Sequence, residues 1–463
     1  MSLKEKHKVV IYATSGDTLL VFYHFDYPEV GYQVPAGTVE PGELPVDAAR
    51  RELLEEAGLD VPVAQFALLG ENTHDMRPFK SELHRRTYFH VAIDDTAAKT
   101  WTHYELHAGT SNSDSPTKFC YEWVSTQYDV KRLLSVGQGA LIERVAGIGI
   151  GKRPAQRVEF TSLSSVLSAF RQSRVHEVKQ LLKLLPDGVC DIDHLDALDI
   201  THGARYAVLE QAFYSITQAL EHNNRSQLSL GLELLETIGK VSNEALHVSK
   251  HCSQRLYASD FESPAYLSKF DDSDSAGEDK QKKILLAMNR CMALGFAETL
   301  EKQVGNVCVL QEKDLLSATD SYTLSGLPGT VYCDYIDNVY RLAEIILHEA
   351  THNWLNELLR AQGVKLDPDV LFYSPWRKKA RPAVGILHAA LVFSRLVCFF
   401  NEILGQPDLS EYERVYFTRK RDAERHVIIE HLEMLAEVLT TLDRAPAVKC
   451  IIAEEVNRAV NLH

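Results

Sequence analysis

The chain has 463 residues, of which 45% are hydrophobic and 24% are charged, and its formal net charge is −15. This length predicts two or three domains, and the excess of negative charge argues against a nonspecific nucleic-acid-binding protein. No apolar run approaches about 18 residues and the N-terminus lacks an apolar core, so we expect neither a membrane span nor a signal peptide. The eight cysteines form no C-x-x-C pair, which favours free thiols in a cytoplasmic protein.

Strand-like sequences dominate the first third of the chain. They are rich in β-branched and aromatic residues and lie at 9–13, 19–23, 86–93 and 119–124. A helical stretch interrupts them, so this part of the chain is predicted to form an α/β layer fold.

The interrupting stretch, residues 37–59, reads GTVEPGELPVDAARRELLEEAGL. Pro45 suits the first turn of a helix, and Gly58 suits its C-terminal end. Between them Glu52, Glu55 and Glu56 follow i, i+3, i+4 spacing, so their carboxylates share one helical face. Clustered carboxylate oxygens favour Mg²⁺ or Mn²⁺ over a soft metal. The stretch therefore predicts a divalent-cation site on a helix.

The same stretch fits G-x5-E-x7-R-E-U-x-E-E-x-G-U at every fixed position, where U is a bulky aliphatic residue. It resembles the Nudix box, the signature of Nudix hydrolases. The resemblance implies an α/β/α sandwich, which we assign to residues 1–150. It also implies Mg²⁺-assisted hydrolysis of a nucleoside-diphosphate-type substrate.

The resemblance further implies roles for individual residues. Glu52, Glu55 and Glu56 would be metal ligands, and Glu55 and Glu56 would be catalytic. Glu43 would be a supporting acid, and Gly37 would be a backbone contact at the metal.

Other charged residues of the first third are further candidates for the same site. Glu122, which precedes a tryptophan, is a candidate for one more carboxylate near the metal. His84, Arg85 and Arg86 are candidates for phosphate contacts, and an exposed strand edge is the alternative interpretation of that run.

Helical periodicity replaces the strand pattern from about residue 160 onward. The glycine-rich segment 147–156, GIGIGKRPAQ, precedes it and is either a linker or the last loop of the first domain. We therefore predict a second, mostly α-helical domain over 151–463, so that the fold class is α/β plus α. Its predicted helices cover 163–185, 206–238, 284–300, 339–359, 382–404 and 410–442.

The second domain contains an H-E-x-x-H sequence, formed by His348, Glu349 and His352 within an apolar, helix-forming run. Two histidines at i and i+4 point the same way and can bind one metal ion. The preceding LPGTVYCDY predicts a turn followed by a short strand. The alternative is a pair of partly buried histidines that only pack in a helical domain.

A third ligand for this metal is less evident. The extension typical of metzincins is absent, because Leu355 and Leu358 occupy its glycine and histidine positions. Glu357 lies on the same predicted helix at a poor angle. His388 lies farther along the chain, in the apolar sequence GILHAALVF.

Residues 372–391, FYSPWRKKARPAVGILHAAL, together with the HExxH, resemble the iron- and 2-oxoglutarate-dependent HExxH peptide β-hydroxylases. The resemblance implies Fe²⁺ held by His348, His352 and His388, with Glu349 as the acid beside the metal. It implies hydroxylation of a peptide or amino-acid side chain.

A 2-oxo acid also needs a cation for its distal carboxylate. Arg377 and Arg381 are candidates, because a guanidinium group binds a carboxylate through two hydrogen bonds. A solvated basic turn is the alternative interpretation of these arginines.

Three hypotheses about function stay open. The first is a bifunctional metalloenzyme that acts on a nucleotide-type small molecule and on a peptide or amino acid. In the second, the three histidines bind Zn²⁺ and Glu349 activates water, as in a metallopeptidase. In the third, the Nudix domain only binds a nucleotide-like ligand, although its intact glutamates argue against this.

Overall fold

The computed structural model describes most of the chain. The described residues are 3–25, 30–93, 100–105, 117–126, 130–145, 158–185, 195, 199–200, 203–241, 246–250, 254–256, 263, 265–268, 270, 275–315 and 317–462. The chain divides into two compact units, and each is discontinuous in sequence. Unit 1 comprises residues 1–163, 366–401 and 410–463, and unit 2 comprises residues 164–365 and 402–409.

This division differs from two consecutive domains, because the chain returns to unit 1 at residue 366. The predicted boundary between residues 150 and 151 lies outside the described residues, as does the segment 147–156. The boundary therefore stays a prediction.

Unit 1 begins with a seven-stranded sheet. Its strands are β1 (Lys4–Ser15), β2 (Thr18–His24), β3 (Ala36–Thr38), β4 (Ala67–Asp75), β5 (Glu82–Ala92), β6 (Thr100–Glu105) and β7 (Thr117–Ser125). The order across the sheet is β4-β5-β1-β2-β7-β6, and β3 pairs with β1. β1 and β5 are parallel, and the other neighbouring pairs are antiparallel. The four predicted strands are found, together with β3, β4 and β6, whose sequences are short or polar.

Helices cover both faces of this sheet. Val9 of β1 joins Leu53 of α1 (Pro45–Ala57) in the core on one face. Val10, the next residue of β1, joins Leu133 of α2 (Val130–Leu133) in the core on the other face. Successive residues of a strand point to opposite sides, so β1 contributes to both cores. The result is an α/β/α sandwich.

Unit 2 combines helices with a small sheet. Its elements are α3 (Val158–Leu182, which starts in unit 1), α4 (Gly203–His222), α5 (Arg225–Thr237), β8 (His247–Lys250), β9 (Gln254–Leu256), β10 (Ala265–Leu267), α6 (Glu278–Cys291), α7 (Ala297–Gln303), β11 (Asn306–Lys313), β12 (Ser321–Tyr322), β13 (Thr330–Ile336) and α8 (Val339–Ala361). The sheet order is β12-β13-β11-β8, in which β8, β11 and β13 are parallel. β13 is the strand predicted before the HExxH helix, whereas β8 and β11 were not predicted.

Two predicted helices of unit 2 are broken in the structure. The 206–238 run becomes α4 and α5, because Asn223 has a φ of 51° and Asn224 caps α5 by accepting from the Gln227 backbone N–H. The 284–300 run becomes α6 and α7, because Gly295 has a φ of 99°. A left-handed residue ends regular α-helix hydrogen bonding, which apolar periodicity alone does not reveal.

The C-terminal part of unit 1 consists of a β-hairpin and four helices. These are β14 (Leu371–Ser374), β15 (Lys379–Pro382), α9 (Ala383–Leu404), α10 (Glu411–Glu430), α11 (Leu432–Leu439) and α12 (Pro446–Val460). α12 was not predicted.

α9 is the helix that bears on our expectation of no membrane span. It is the one helix of the described residues that is long and apolar enough to do so, although 72% of its apolar window is buried inside the protein. Phe400 of α9, for example, packs on Phe417 of α10 with ring centroids 5.6 Å apart. This burial is that of a core helix.

Candidate active site

The helix that carries the acidic residues begins and ends as its sequence predicts. Pro45 occupies its first turn, and Gly58 ends it with a φ of 73° while donating to the carbonyl oxygens of Leu53 and Leu54. These local signals fix the register of α1. Glu52 and Glu56 are therefore both buried, each at 7% exposure.

β3 lies directly against these two carboxylates. An added Cβ on Gly37 would lie 1.7 Å from Cδ of Glu52, so only glycine fits at this position. The Ala36 backbone N–H donates to Oε2 of Glu56 at 2.9 Å. The close approach of β3 and α1 therefore holds two of the three predicted metal ligands in place.

Arg51 connects the remaining acids. Its Nε and Nη2 donate to the two carboxylate oxygens of Glu43 at 2.9 and 3.0 Å. Its Nη1 donates to Oε1 of Glu52 at 2.9 Å and to Oε2 of Glu55 at 3.0 Å, and its Nη2 donates to the Thr38 carbonyl oxygen. Arg51 therefore holds Glu43, Glu52 and Glu55 in one hydrogen-bonded arrangement.

The charges around this cluster shift its ionisation. Hydrogen bonds from Arg51 lower the pKa of the Glu43 carboxyl below its ordinary value. Burial raises the pKa of the Glu52 carboxyl, and the Arg51 charge opposes that rise. Glu55 differs from both, because 51% of its side chain is exposed. It is the carboxylate of the cluster that water reaches most easily.

Lys8 is a member of this cluster that the sequence did not reveal. It pairs with Thr38 across the β1–β3 ladder, and its Nζ donates to Oγ1 of Thr38 at 2.6 Å. Burial lowers the pKa of the Lys8 ammonium, and the negative charges of Glu52 and Glu56 oppose that shift. A lone lysine in a strand carries no motif, so only the strand pairing could identify it.

Three further candidates of the first third, Arg86, His84 and Glu122, have structural partners. Arg86 is buried and its Nη1 donates to the Val136 carbonyl oxygen at 2.7 Å. His84 is buried beside Glu82, with Nε2 and Oε2 separated by 2.9 Å. The hydroxyl of Tyr32 donates to Glu122.

The HExxH residues lie on α8, as predicted. Nε2 of His348 and Nε2 of His352 are 3.2 Å apart, and both side chains are half-buried. Nε2 of His348 lies 3.9 Å from Oε1 of Glu349. The i, i+4 spacing therefore brings two imidazole nitrogens together, with a carboxylate beside them.

Glu349 is buried at 3% exposure and is held by β12. Oγ of Ser321 donates to its Oε1 at 2.7 Å, and Thr323 also donates to it. Burial raises the pKa of the Glu349 carboxyl to about 7, although these two hydrogen bonds oppose the rise. This carboxyl can therefore gain or lose a proton near neutral pH.

Glu357, the candidate on α8 that was predicted to lie at a poor angle, forms an ion pair with Arg171. Nε and Nη2 of Arg171 donate to its two carboxylate oxygens at 2.7 and 2.8 Å, and both side chains are essentially inaccessible to solvent. Nε2 of Gln303 also donates to it at 2.6 Å. Glu357 is therefore one partner of a buried ion pair with Arg171.

The remaining predicted residues lie in unit 1. His388 is half-buried on α9, Arg377 is exposed in the turn of the β14–β15 hairpin, and Arg381 is half-buried in β15. The structure brings His348 and His352 together, whereas the roles of His388, Arg377 and Arg381 stay predictions.

Within the described residues, no group of three or more His, Cys, Asp or Glu side chains is arranged around a single position that a metal ion could occupy. At the acidic site the chemistry of the donors still fits a hard divalent cation, because three carboxylates share one helical face. Arg51 provides the positive charge between Glu52 and Glu55 in this structure.

The α/β/α sandwich and the acidic helix α1, packed on Gly37 of β3, lie within one segment of the chain. Residues 6–125 match the family model described as the NUDIX domain. The chain therefore contains a Nudix domain, which covers about a quarter of its length.

Three solved structures are each similar to about a third of the chain. An Ap4A hydrolase of C. elegans is 16% identical and covers 30% of this chain and 93% of its own, with a TM-score of 0.22. A NUDIX-family hydrolase from Clostridium perfringens is 17% identical over 31% and 95%, with a TM-score of 0.21. The E. coli dihydroneopterin triphosphate pyrophosphohydrolase is 19% identical over 30% and 99%, with a TM-score of 0.21. No curated protein matches the chain significantly.

Proposed function

We propose that the Nudix domain hydrolyses a diphosphate linkage in a nucleoside-diphosphate-type compound, with Mg²⁺ or Mn²⁺ as its cofactor. The observation that carries this proposal is the packing of Glu52 and Glu56 against β3, with Glu55 exposed beside them. The intact Nudix box and the family match over residues 6–125 support it.

The residues of the site divide the work. Glu52, Glu55 and Glu56 would hold the cation, which neutralises phosphate charge and lowers the pKa of bound water. Gly37 leaves room for the Glu52 carboxylate, and Arg51 holds Glu43, Glu52 and Glu55 in one arrangement. Oε1 of Glu55 is the oxygen not engaged by Arg51, and it is the atom suited to accept a proton from the attacking water.

The test is phosphate or nucleoside monophosphate release from a panel of nucleoside-diphosphate compounds by the full chain. We expect turnover that requires Mg²⁺ and that Glu55→Gln abolishes. Glu71→Gln, on an exposed residue of β4, is the control and should retain activity. Binding of the compounds without any turnover would instead favour the nucleotide-binding module.

We further propose that unit 2 binds a transition metal ion at His348 and His352. The supporting observation is the 3.2 Å separation of their Nε2 atoms. Two nitrogens bound to one tetrahedral ion at about 2.0–2.1 Å would lie about 3.3 Å apart. Imidazole ligands suit iron and zinc, in contrast to the carboxylates of the Nudix domain.

Of the two chemistries considered for this site, Fe²⁺- and 2-oxoglutarate-dependent hydroxylation of a peptide or amino-acid side chain is our first proposal. It is supported by the resemblance of residues 372–391 together with the HExxH, and it assigns His388 to the metal and Arg377 and Arg381 to the 2-oxo acid. The second is a zinc peptidase. Glu349 suits either, because its carboxyl titrates near neutral pH.

Metal analysis of the purified chain separates these proposals. Iron content, with succinate formed from 2-oxoglutarate and both lost in His352→Ala, would support the oxygenase. Zinc alone, with peptide cleavage, would support the peptidase. Retention of the metal in a His348→Ala, His352→Ala double variant would refute both.

A further inference from the structure

α12, near the C-terminal end of the chain, packs on the Nudix domain within unit 1 through polar side chains. Asn457 is fully buried, and its Nδ2 donates to the carbonyl oxygens of Asp75 and Arg77 at 2.7 and 3.0 Å. Its Oδ1 lies 3.0 Å from Nε2 of His74. Asn461, just after α12, exchanges two hydrogen bonds with the Asp75 backbone at 3.0 Å each. The backbone hydrogen-bonding groups at the end of β4 therefore find their partners in this C-terminal segment.

A second contact from α12 reaches the turn formed by Ser135–Gln138, which we name the 135–138 turn. Oε1 of Glu454, a residue at 4% exposure, accepts from the Val136 backbone N–H at 2.9 Å. Val136 has a φ of 51°, which a β-branched residue rarely adopts. The backbone of this turn is strained, so it depends on partners that hold its amide and carbonyl groups.

The 135–138 turn in turn holds the chain segment that enters the active site. The side-chain Oε1 of Gln138 accepts from the Val34 backbone N–H at 2.8 Å. The backbone carbonyl oxygen of Gln138 accepts from the hydroxyl of Tyr12 at 2.5 Å. Two residues after Val34, the Ala36 N–H donates to Glu56. A short series of hydrogen bonds therefore runs from α12 to a predicted metal ligand.

The tight packing around the turn leaves little freedom to relax. An added Cβ on Gly137 would lie 2.2 Å from Cε1 of His74, the residue that Asn457 contacts. The Val136 carbonyl oxygen accepts from the buried Arg86. Both peptide groups of Val136 are thus fixed, one by α12 and one by β5.

We infer that α12 is part of the Nudix active unit and that Glu454 and Asn457 are positioning residues for the β3 segment that carries Gly37. This inference rests on the proposed pyrophosphohydrolase function. It adds that residues more than 300 positions away in sequence set the geometry of the acidic site.

The test compares two adjacent glutamates of α12 in the full chain. Glu454→Ala removes the acceptor for Val136, and we expect kcat to fall at least tenfold and the Mg²⁺ concentration for half-maximal activity to rise. Glu455→Ala is the matched control, because Glu455 is also at 4% exposure and, like Glu454, pairs with Arg458 of α12, whereas the Val136 backbone N–H donates to Glu454. Glu454→Gln keeps an oxygen acceptor and should retain most of the activity.

A second-site change gives a sharper outcome. Glycine adopts a positive φ without strain, so Val136→Gly should make the turn independent of Glu454. We expect the double variant, Val136→Gly with Glu454→Ala, to recover activity. This expectation holds even if Glu454→Ala alone does not fold. Equal loss in Glu454→Ala and Glu455→Ala, or a folded double variant as inactive as Glu454→Ala, would overturn the inference.

Amide hydrogen exchange distinguishes failure of this inference from failure of the proposed function. Faster exchange at the Val34 amide in Glu454→Ala, with no change in Glu455→Ala, is expected whether or not a substrate has been found. Absence of turnover in the unmodified chain would count against the proposed function alone. Unchanged exchange at Val34 would count against α12 as a positioning element.

Discussion

Gly37 and Glu52 are in contact at a distance that admits no side chain on the glycine. An added Cβ would lie 1.7 Å from Cδ of Glu52 and 1.8 Å from its Oε1. The backbone φ of Gly37 is not in the left-handed region, so its conformation does not require glycine. Glycine is required at this position because β3 packs closely on α1.

Gly37→Ala should displace the Glu52 carboxylate and strongly reduce Mg²⁺-dependent turnover. A displacement of about 1 Å at a reacting centre can lower a rate by about 100-fold, so we expect a loss of that order. Gly239→Ala is the control, because an added Cβ there meets no atom within 4 Å apart from its chain neighbours and its own helix backbone. Steady-state kinetics of the two variants would contradict this account of Gly37 if they were alike.

Arg51→Lys should lower turnover although the charge is kept. A lysine ammonium cannot reproduce the planar set of donors that reaches Glu43, Glu52 and Glu55 together. We expect kcat to fall about 10- to 100-fold with a smaller change in KM. Arg50→Lys, in the exposed pair of Arg50 with Asp60, should change neither; a loss there as large as in Arg51→Lys would show that α1 stability is being measured instead.

His84 should make the protein less stable in mild acid. Burial lowers the pKa of His84 to about 4, well below that of a histidine in the unfolded chain. As pH falls below about 6.5 the unfolded state binds a proton that the folded state does not, so stability is lost progressively down to about pH 4. Between pH 7 and pH 5 this amounts to about 2 kcal/mol.

Urea unfolding of His84→Asn at both pH values checks this expectation. The variant should lose part of the pH dependence, whatever its stability at pH 7. His426→Asn, in which an exposed histidine is replaced, should keep the full dependence. If His84→Asn also keeps the full dependence, other groups cause the acid sensitivity.

The Arg171–Glu357 pair should be sensitive to removal of either partner. Glu357→Ala would leave a buried guanidinium without its carboxylate, and breaking such a pair costs about 3–5 kcal/mol. Glu298→Ala, in the more exposed pair of Glu298 with Lys302, should cost about 1 kcal/mol or less. Denaturant unfolding measures both. Similar losses in the free energy of unfolding would mean that the buried pair stabilises the protein no more than the exposed pair does.

Local signals made much of the first third predictable. Pro45 and Gly58 bound α1 because each acts on its own backbone, and the four strands stand out by their β-branched and aromatic residues. The HExxH helix was predictable for the same reason, since i, i+4 spacing alone brings His348 and His352 together.

Other features depend on partners that are distant in sequence. Lys8 carries no motif, and it joins the acidic cluster only because β1 pairs with β3. Glu357 lies on the HExxH helix at a poor angle for the metal, and Arg171 donates to both of its carboxylate oxygens. The breaks at Asn223 and Gly295 follow from single left-handed residues within otherwise helical periodicity.

The sequence by itself determined which side chains share a helical face, namely the carboxylates of Glu52, Glu55 and Glu56 on α1 and the imidazoles of His348 and His352 on α8. Those features depend on spacing along a single helix, which the chain fixes locally. Only the tertiary structure decided what supports the Gly37–Leu59 stretch. Glu454 and Asn457 of α12 contact the Nudix domain because folding buries their polar groups against the backbone of residues 75, 77 and 136. Buried polar groups require partners wherever the chain supplies them, so this dependence could not be read from the box alone.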